Sequence, residues 1–143
     1  MSLVPGDPLA HRALESLLRA QASVRRRLAA DLEREGLSMS GFSMLVVLST
    51  ADGELELRAL RRRLRISKAT ATEVVSTLVG RGLVRRRRSD RDGRAVRVVL
   101  SGAGRDLVAR LFPEHTRRVT AAFSALDERE KRSLAELCRK LAA

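Results

Sequence analysis

The chain has 143 residues and a mass of 15.8 kDa, which is enough for one domain with a hydrophobic core and too little for two of ordinary size. Its 29 lysines and arginines outnumber 17 acids and leave a net charge of +12, which indicates a polyanionic partner. The lack of Trp and Tyr disfavours both a membrane-surface helix and base stacking on single strands, so double-stranded nucleic acid is the favoured partner.

The first predicted element is a long amphipathic helix that follows two early prolines. Apolar residues recur at three- and four-residue spacing from Leu14 to Leu32, and Gly36 closes the segment. Its polar side carries several arginines, among them Arg19 and Arg34. We interpret this side as a solvated basic surface rather than as a DNA contact.

Two shorter helices come next. Ser38 is placed to cap the second helix, whose body from Met44 to Thr50 is apolar nearly all round and is therefore predicted to be buried. The sequence ADG at 51–53 ends it. The third helix, LRALRRRL at 57–64, has leucines on one side and arginines over the rest.

The fourth helix, over about residues 68–80, is the most informative about function. Ser67 is its predicted cap. Its buried side is predicted to consist of Ala71, Val74, Val75 and Leu78. The opposite side has short polar side chains that allow close approach to another surface: Lys68, Thr72, Glu73 and Ser76.

A basic hairpin is predicted after Gly82, which ends the fourth helix. The segment LVRRRRSDRDGRAVRVVLS, residues 83–101, has the pattern of a strand, a turn and a strand. Two helices joined by a tight turn and followed by a basic hairpin form the winged variant of the helix-turn-helix. In that motif a helix enters the major groove of DNA.

The hairpin arginines are predicted to contact DNA in two ways. Arg94, at the turn, is expected in the minor groove, where the negative potential is strongest. Asp92 is two residues away and is predicted to orient the Arg94 guanidinium; the alternative is that it only relieves repulsion among arginines. The arginines expected near phosphates are Arg86, Arg88 and Arg91.

Two helices are predicted after the hairpin. Ser101 is the expected cap of the first, which Pro113 is expected to kink or restart, and Asp127 is the expected cap of the last. Gly102 and Gly104 are predicted to be turn residues rather than a nucleotide cradle, because no phosphate-loop lysine accompanies them.

Several short motifs occur in a definite order. SxxTxT lies in the fourth helix, GLV follows it, DxR lies in the turn, and LSxxG follows the second strand. They are formed by Ser67, Thr70 and Thr72, by Gly82, Leu83 and Val84, by Asp92, Gly93 and Arg94, and by Leu100, Ser101 and Gly104. In this order they resemble the MarR family of bacterial transcriptional regulators, and the likeness covers nearly the whole chain from about Leu9.

The resemblance implies a mainly α fold with a small β-hairpin wing. It implies one MarR-type domain, 1–143, with a winged helix-turn-helix DNA-binding lobe at 38–101 and dimerisation helices at 8–36 and 102–142. The function it implies is that of a homodimeric repressor on a palindromic double-stranded operator, released by a small aromatic or phenolic effector. The expected DNA-binding residues are Ser67, Lys68, Thr70, Thr72, Glu73, Ser76, Arg86, Arg88, Arg91, Asp92 and Arg94.

The resemblance also implies an effector pocket. Its expected lining is Leu17, Gln21, Arg25, Met44 and Phe112, with Arg25 as a partner for an acidic ligand. The same residues would serve equally well as plain core.

Two residues depart from the family pattern. Glu73 stands where many relatives have arginine, and it either accepts a hydrogen bond from cytosine N4 or pairs with a neighbouring arginine. Cys138 lies in the last helix rather than near the N-terminus, which favours a packed thiol over an oxidant sensor.

Several other functions are not supported by the sequence. We expect no metal site because His11 and His115 are far apart and Cys138 is the single cysteine, and we expect no cofactor and no catalysis because no nucleophile–base pair stands out. The absence of a signal peptide and of a long apolar run predicts a cytoplasmic protein without membrane contact. The alternative hypothesis is an architectural winged-helix protein that coats DNA with little sequence preference and no effector.

Overall fold

The computed structural model describes residues 6–91 and 93–143, and these ranges contain six helices and three strands. The helices are α1 (Pro8–Arg34), α2 (Met39–Thr50), α3 (Leu57–Leu64), α4 (Lys68–Gly80), α5 (Gly102–Ala122) and α6 (Glu128–Ala142). The strands are β1 (Glu54–Glu56), β2 (Val84–Arg88) and β3 (Val96–Leu100). The predicted mainly α fold with a small β wing is confirmed.

The chain forms two compact units. The central unit is Asp31–Glu114, and the terminal unit joins residues 6–30 to His115–Ala143. The hydrophobic core belongs to the central unit, where Leu45 of α2, Leu60 of α3 and Val98 of β3 are fully buried. This core fixes the short helices and the sheet in one arrangement.

Side-chain caps start several of the helices, as the sequence predicts. The Ser38 hydroxyl accepts a hydrogen bond from the Gly41 N–H at 2.9 Å. Asp127 accepts one from the Glu130 N–H at 2.8 Å, and the Glu130 carboxylate accepts one in return from the Asp127 N–H at 3.0 Å. Ser67 caps α4 in the same way as Ser38 caps α2, so the start of α4 is fixed.

The sheet contains a strand that the sequence analysis did not predict. β1 precedes α3 and pairs antiparallel with β3, so that the strand order is β1-β3-β2. Its acids at Glu54 and Glu56 lie opposite Val99 and Arg97. Three residues are too few for a visible alternation, and the pairing depends on contacts far along the chain.

The start of α5 corrects the prediction for the two glycines. Gly102 and Gly104 lie in the first turn of this helix rather than in a turn between elements, because the Ser101 hydroxyl accepts a hydrogen bond from the Gly104 N–H and caps the helix there. A Cβ atom at Gly104 would lie 2.2 Å from the Leu83 carbonyl oxygen, so only glycine fits. The helix continues through Pro113 to Ala122 and does not restart.

Large apolar side chains are exposed on the terminal unit. On α6 they are Leu134, Leu137 and Leu141, with 38%, 64% and 72% of their surface accessible. On α1 the exposed residues are Leu9, Leu14, Leu17 and Leu18. These leucines lie at helical spacing, as the sequence predicts, and in the isolated chain they remain open to solvent.

Candidate nucleic-acid interface

The exposed side of α4 carries the short polar residues that the sequence predicts there. Ala71, Val75 and Leu78 are buried and Val74 is partly buried, which turns the opposite side of the helix outward. The residues on that outer side are Lys68, Thr72, Glu73 and Ser76, all of them exposed. Their hydrogen-bonding groups are therefore open to a large partner such as a base edge or a phosphate.

Two of the predicted DNA-binding residues already hydrogen-bond to each other. The Ser67 hydroxyl accepts from the Thr70 N–H at 3.1 Å and donates to the Thr70 hydroxyl at 3.0 Å. Both side chains remain exposed. Their first role is thus to fix the start of α4, and a DNA contact would be added to that role.

Glu73 is exposed on the same helix, which bears on the two alternatives left open for it. Within residues 6–91 and 93–143 it makes no ion pair. It lies instead at the edge of a pocket with Val74 and Thr77, whose hydroxyl donates to the Glu73 carbonyl at 3.1 Å. The described structure therefore gives no support to the pairing alternative.

Successive wing arginines have different surroundings. Arg86 lies opposite the buried Val98, whereas Arg87 lies opposite Arg97 on the other side of the sheet. The Arg86 guanidinium donates to the Ser76 hydroxyl at 2.6 Å, so the wing and α4 are joined directly. Arg88 is exposed on the same side of the sheet as Arg86.

Two arginines on the outer side of the sheet are held by acids of β1. Arg87 and Arg97 face each other across the strands, an arrangement that is unfavourable for like charges alone. The Glu54 carboxylate pairs with both guanidinium groups, and the Arg87 hydrogen bond is the main reason why the pKa of Glu54 lies below its ordinary range. The sequence alone does not reveal this network, because the network depends on strand β1.

The wing tip begins at a buried serine. The Ser89 N–H donates to the Ala95 carbonyl at 2.9 Å, and the Ser89 hydroxyl accepts from the Arg91 N–H at 3.3 Å. Arg91 and Arg94 are exposed, as expected for residues that contact DNA. Asp92, to which the sequence assigns the orientation of Arg94, lies outside the described residues.

A basic pocket lies between the helices and the wing. It has a volume of about 310 Å³, and its charged lining is Glu56, Arg58, Arg61, Lys68 and Arg94. Arg58 and Arg61 are on α3, and the sequence analysis did not select them. Helix α3, helix α4 and the wing thus place four basic residues around one pocket of the central unit.

The predicted effector residues divide between the two units. Leu17, Gln21 and Arg25 belong to the terminal unit and are exposed, with Leu17 at 39%. Met44 and Phe112 belong to the central unit, where Met44 is fully buried in the core and Phe112 is 42% exposed. Met44 therefore serves as plain core in this structure.

The part of the chain that the structure describes holds no cluster of three or more His, Cys, Asp or Glu side chains with the arrangement of a metal site. Nor does any described helix combine the length and apolar character that crossing a membrane requires.

Comparison with known proteins gives consistent matches. A sequence profile of the MarR family matches residues 37–96. The HTH-type transcriptional regulator YwaE of Bacillus subtilis is 32% identical over 122 residues, which cover 82% of this chain and 71% of YwaE. These matches cover the helix-turn-helix, the wing strands and the helices that flank them.

Two solved structures share the fold. Sco3205, a MarR family transcriptional regulator from Streptomyces coelicolor in complex with DNA, superposes with a TM-score of 0.84 at 26% identity, covering 99% of this chain and 89% of that chain. The PcaV transcriptional regulator from the same species, in complex with its natural ligand, superposes with a TM-score of 0.79 at 24% identity, covering 99% and 96%.

Proposed function

Because the chain belongs to the MarR family of transcriptional regulators, we propose that it binds a palindromic double-stranded operator as a homodimer and acts as a repressor that a small molecule releases. The observation that carries the proposal is the exposed polar side of α4, joined to the basic wing by the Arg86–Ser76 hydrogen bond. This arrangement presents one element to the major groove and another to the neighbouring minor groove.

Sequence preference is proposed to come from α4. Thr72, Glu73 and Ser76 have short side chains that reach base edges without holding the helix away from the groove. Lys68 and the cap residues Ser67 and Thr70 are placed at the helix start, where phosphate contacts are expected. These contacts position α4, and the base edges supply the choice of sequence.

Affinity is proposed to come largely from the wing. Arg86, Arg88 and Arg91 are exposed and carry no sequence information when they contact phosphates. Arg94 is proposed to enter the minor groove, with these three arginines near its phosphates. Arg87 and Arg97 are excluded from this set because Glu54 holds them on the opposite side of the sheet.

The homodimer is proposed from the exposed leucines of α1 and α6. A lone chain that leaves Leu137 and Leu141 mostly accessible exposes apolar surface that a second copy would cover. Two lobes related by a twofold axis bind two half-sites about one helical turn apart, which is 10–10.5 base pairs. A dimer seated on such a site excludes other proteins from it, which is the basis for proposing repression.

Release by an effector is supported by PcaV, which shares the fold and was solved with its natural ligand. The proposed ligand class is a small aromatic or phenolic compound. A panel of phenolic and aromatic acids tests this directly. An effector is expected to raise the melting temperature and to release DNA; a panel with no active compound would remove this part of the proposal.

The competing function is that of an architectural protein, which the net charge of +12 would suit as well. Selection of DNA fragments from a random pool by the purified protein separates the two. We expect enrichment of a palindrome whose half-sites are one helical turn apart. A pool without enrichment, at a salt concentration where binding persists, would favour the architectural function.

A further inference from the structure

The basic pocket lies on the path that a DNA strand would follow. In the proposed complex α4 lies in the major groove and the wing tip in the adjacent minor groove. These two grooves are separated by a single sugar-phosphate strand, which therefore has to pass between α4 and the wing. The pocket is there: it is lined by Lys68 at the start of α4 and by Arg94, Ala95 and Val96 of the wing.

The charges around the pocket favour an anion. Arg58, Arg61, Lys68 and Arg94 face one acid, Glu56. That acid pairs with Arg58 at 3.6 Å, accepts from the Ser89 hydroxyl at 3.4 Å and lies within 4.0 Å of the Arg97 guanidinium. Arg61 and Lys68 make no ion pair with any residue that the structure describes.

One polar group at the pocket lacks an acceptor. The Nε atom of Arg61 is buried and has no hydrogen-bond partner among the residues that the structure describes. An unsatisfied buried donor is costly, so a turn of the guanidinium that brings it to acceptor oxygens in the pocket would be favourable. Arg61 is only partly exposed and lines the pocket.

We propose that this pocket binds one phosphate of the DNA backbone, with Arg61 and Lys68 as its ligands. The inference rests on the proposed DNA-binding function and adds to it a residue of α3. Charge-assisted hydrogen bonds from a guanidinium match the oxygens of a phosphate diester. The seated phosphate sets the depth of α4 in the major groove and the position of the wing over the minor groove.

The test compares two arginines of the same helix. Arg61→Ala removes the proposed ligand, and Arg62→Ala is the matched control, since Arg62 is exposed and does not line the pocket. Affinity for the selected operator is measured over a range of salt concentrations. Arg61→Gln is measured as well, because it keeps part of the apolar stem and a polar end without the charge and protects the comparison if the alanine variant folds poorly.

We expect Arg61→Ala and Arg61→Gln to reduce the slope of log affinity against log salt by roughly one unit for each chain bound to DNA, or about two for a dimer. The loss of affinity should be equal on the operator and on random DNA, because a phosphate carries no sequence. Arg62→Ala should leave the slope unchanged. Equal slopes for the Arg61 and Arg62 variants would overturn the inference, whereas failure of the wild-type protein to select an operator would overturn the proposed function instead.

Inorganic phosphate offers the same oxygens, so a second arm separates the two sources. Sodium phosphate and sodium chloride are compared as competitors at matched ionic strength. For a pocket occupied by the DNA backbone, any extra inhibition by phosphate over chloride should disappear in Arg61→Ala together with roughly one unit of salt slope for each chain. A pocket for a free anion alone would instead show a melting temperature that phosphate raises in wild type and not in Arg61→Ala, with the same DNA salt slope in both, and that result would overturn the DNA-backbone assignment.

Discussion

The Glu54 carboxylate accepts two hydrogen bonds from Arg87, with the Arg87 Nε and Nη2 atoms each 3.0 Å from a carboxylate oxygen. This two-point pairing joins β1 to β2, although the two strands are not neighbours in the sheet. Because β1 leads directly into α3, it ties the wing to the helix-turn-helix.

We predict that Glu54→Gln weakens DNA binding even though it removes a negative charge near DNA. Without the carboxylate, Arg87 and Arg97 repel each other and β2 loses its side-chain link to β1. The expected loss is about two- to fivefold in affinity, the size typical of an accessible ion pair. Isothermal titration with the selected operator would measure it.

The matched control for this prediction is Glu33→Gln. Glu33 is an exposed acid of α1, and its replacement changes the net charge by the same amount. It should tighten binding slightly or leave it unchanged. Tighter binding by Glu54→Gln as well would show that Glu54 only reduces the positive charge of the wing.

Acid should destabilise the central unit. The pKa of Glu54 is lowered mainly by the Arg87 hydrogen bond, and that of Glu35 mainly by the hydrogen bonds of Arg110 at 2.7 and 3.1 Å. A lowered pKa in the folded state means that the unfolded chain binds more protons in acid. The stabilisation is therefore complete above the ordinary value of 4.5 and is lost as the pH falls through the folded pKa.

The melting temperature should accordingly fall below about pH 4.5 more steeply in wild type than in the Glu35→Gln, Glu54→Gln double variant. The variant should also melt lower than wild type near neutral pH. Both carboxylates are accessible to solvent, so the differences are expected to be small. Parallel melting curves across this pH range would show that neither ion pair contributes.

Thr72→Ala tests the assignment of sequence preference to α4. Removing the hydroxyl should cost about 1 kcal/mol on the selected operator, which is the scale of one hydrogen bond, and less on random DNA. Thr77→Ala is the matched control, since its hydroxyl donates to the Glu73 carbonyl within the helix. Equal losses on both DNAs for Thr72→Ala would mean that this side of α4 only positions the protein.

Gly104→Ala should destabilise the fold. The added methyl group would lie 2.2 Å from the Leu83 carbonyl oxygen and 2.7 Å from Leu100 Cδ1, so the start of α5 has to move. A loss of about 1–3 kcal/mol is expected from overpacking of this kind. Gly102→Ala, where a methyl group meets nothing within 4 Å, should be neutral or stabilising in urea unfolding.

The homodimer should appear in sedimentation as a species of about twice the 15.8 kDa chain mass. Leu137→Gln, at the centre of the exposed stripe on α6, should raise the dimer dissociation constant by on the order of tenfold. Glu136→Gln in the same helix should leave it unchanged. A wild-type monomer at micromolar concentration would contradict both the dimer and the palindromic operator.

The features that the sequence predicts well are those decided locally. Ser38, Ser67 and Asp127 cap helices because a cap needs only the residues of one turn, and the buried side of α4 follows from helical spacing. The order of short motifs is sufficient to indicate the MarR family.

What the sequence did not predict depends on pairing between distant segments. Strand β1 is recognisable only through its partner β3, and without it the roles of Glu54 and of the two arginines it holds are hidden. The basic pocket is hidden for the same reason, because Arg61 and Arg94 are brought together by the sheet. The sequence therefore indicates where charge is abundant, but it does not indicate which arginines are already ion-paired with acids of the same chain.

Two hydrogen bonds close the base of the wing, and both are made by residues at the two ends of the hairpin. The Ser101 hydroxyl donates to the Gly82 carbonyl at 2.6 Å, and the Ser101 N–H donates to the Leu83 carbonyl at 3.0 Å. Since both ends of the hairpin are anchored there, the position of its base does not depend on the length of its tip. Residues can consequently be inserted or deleted at the tip, in evolution or by design, without displacing the start of α5 from the end of α4.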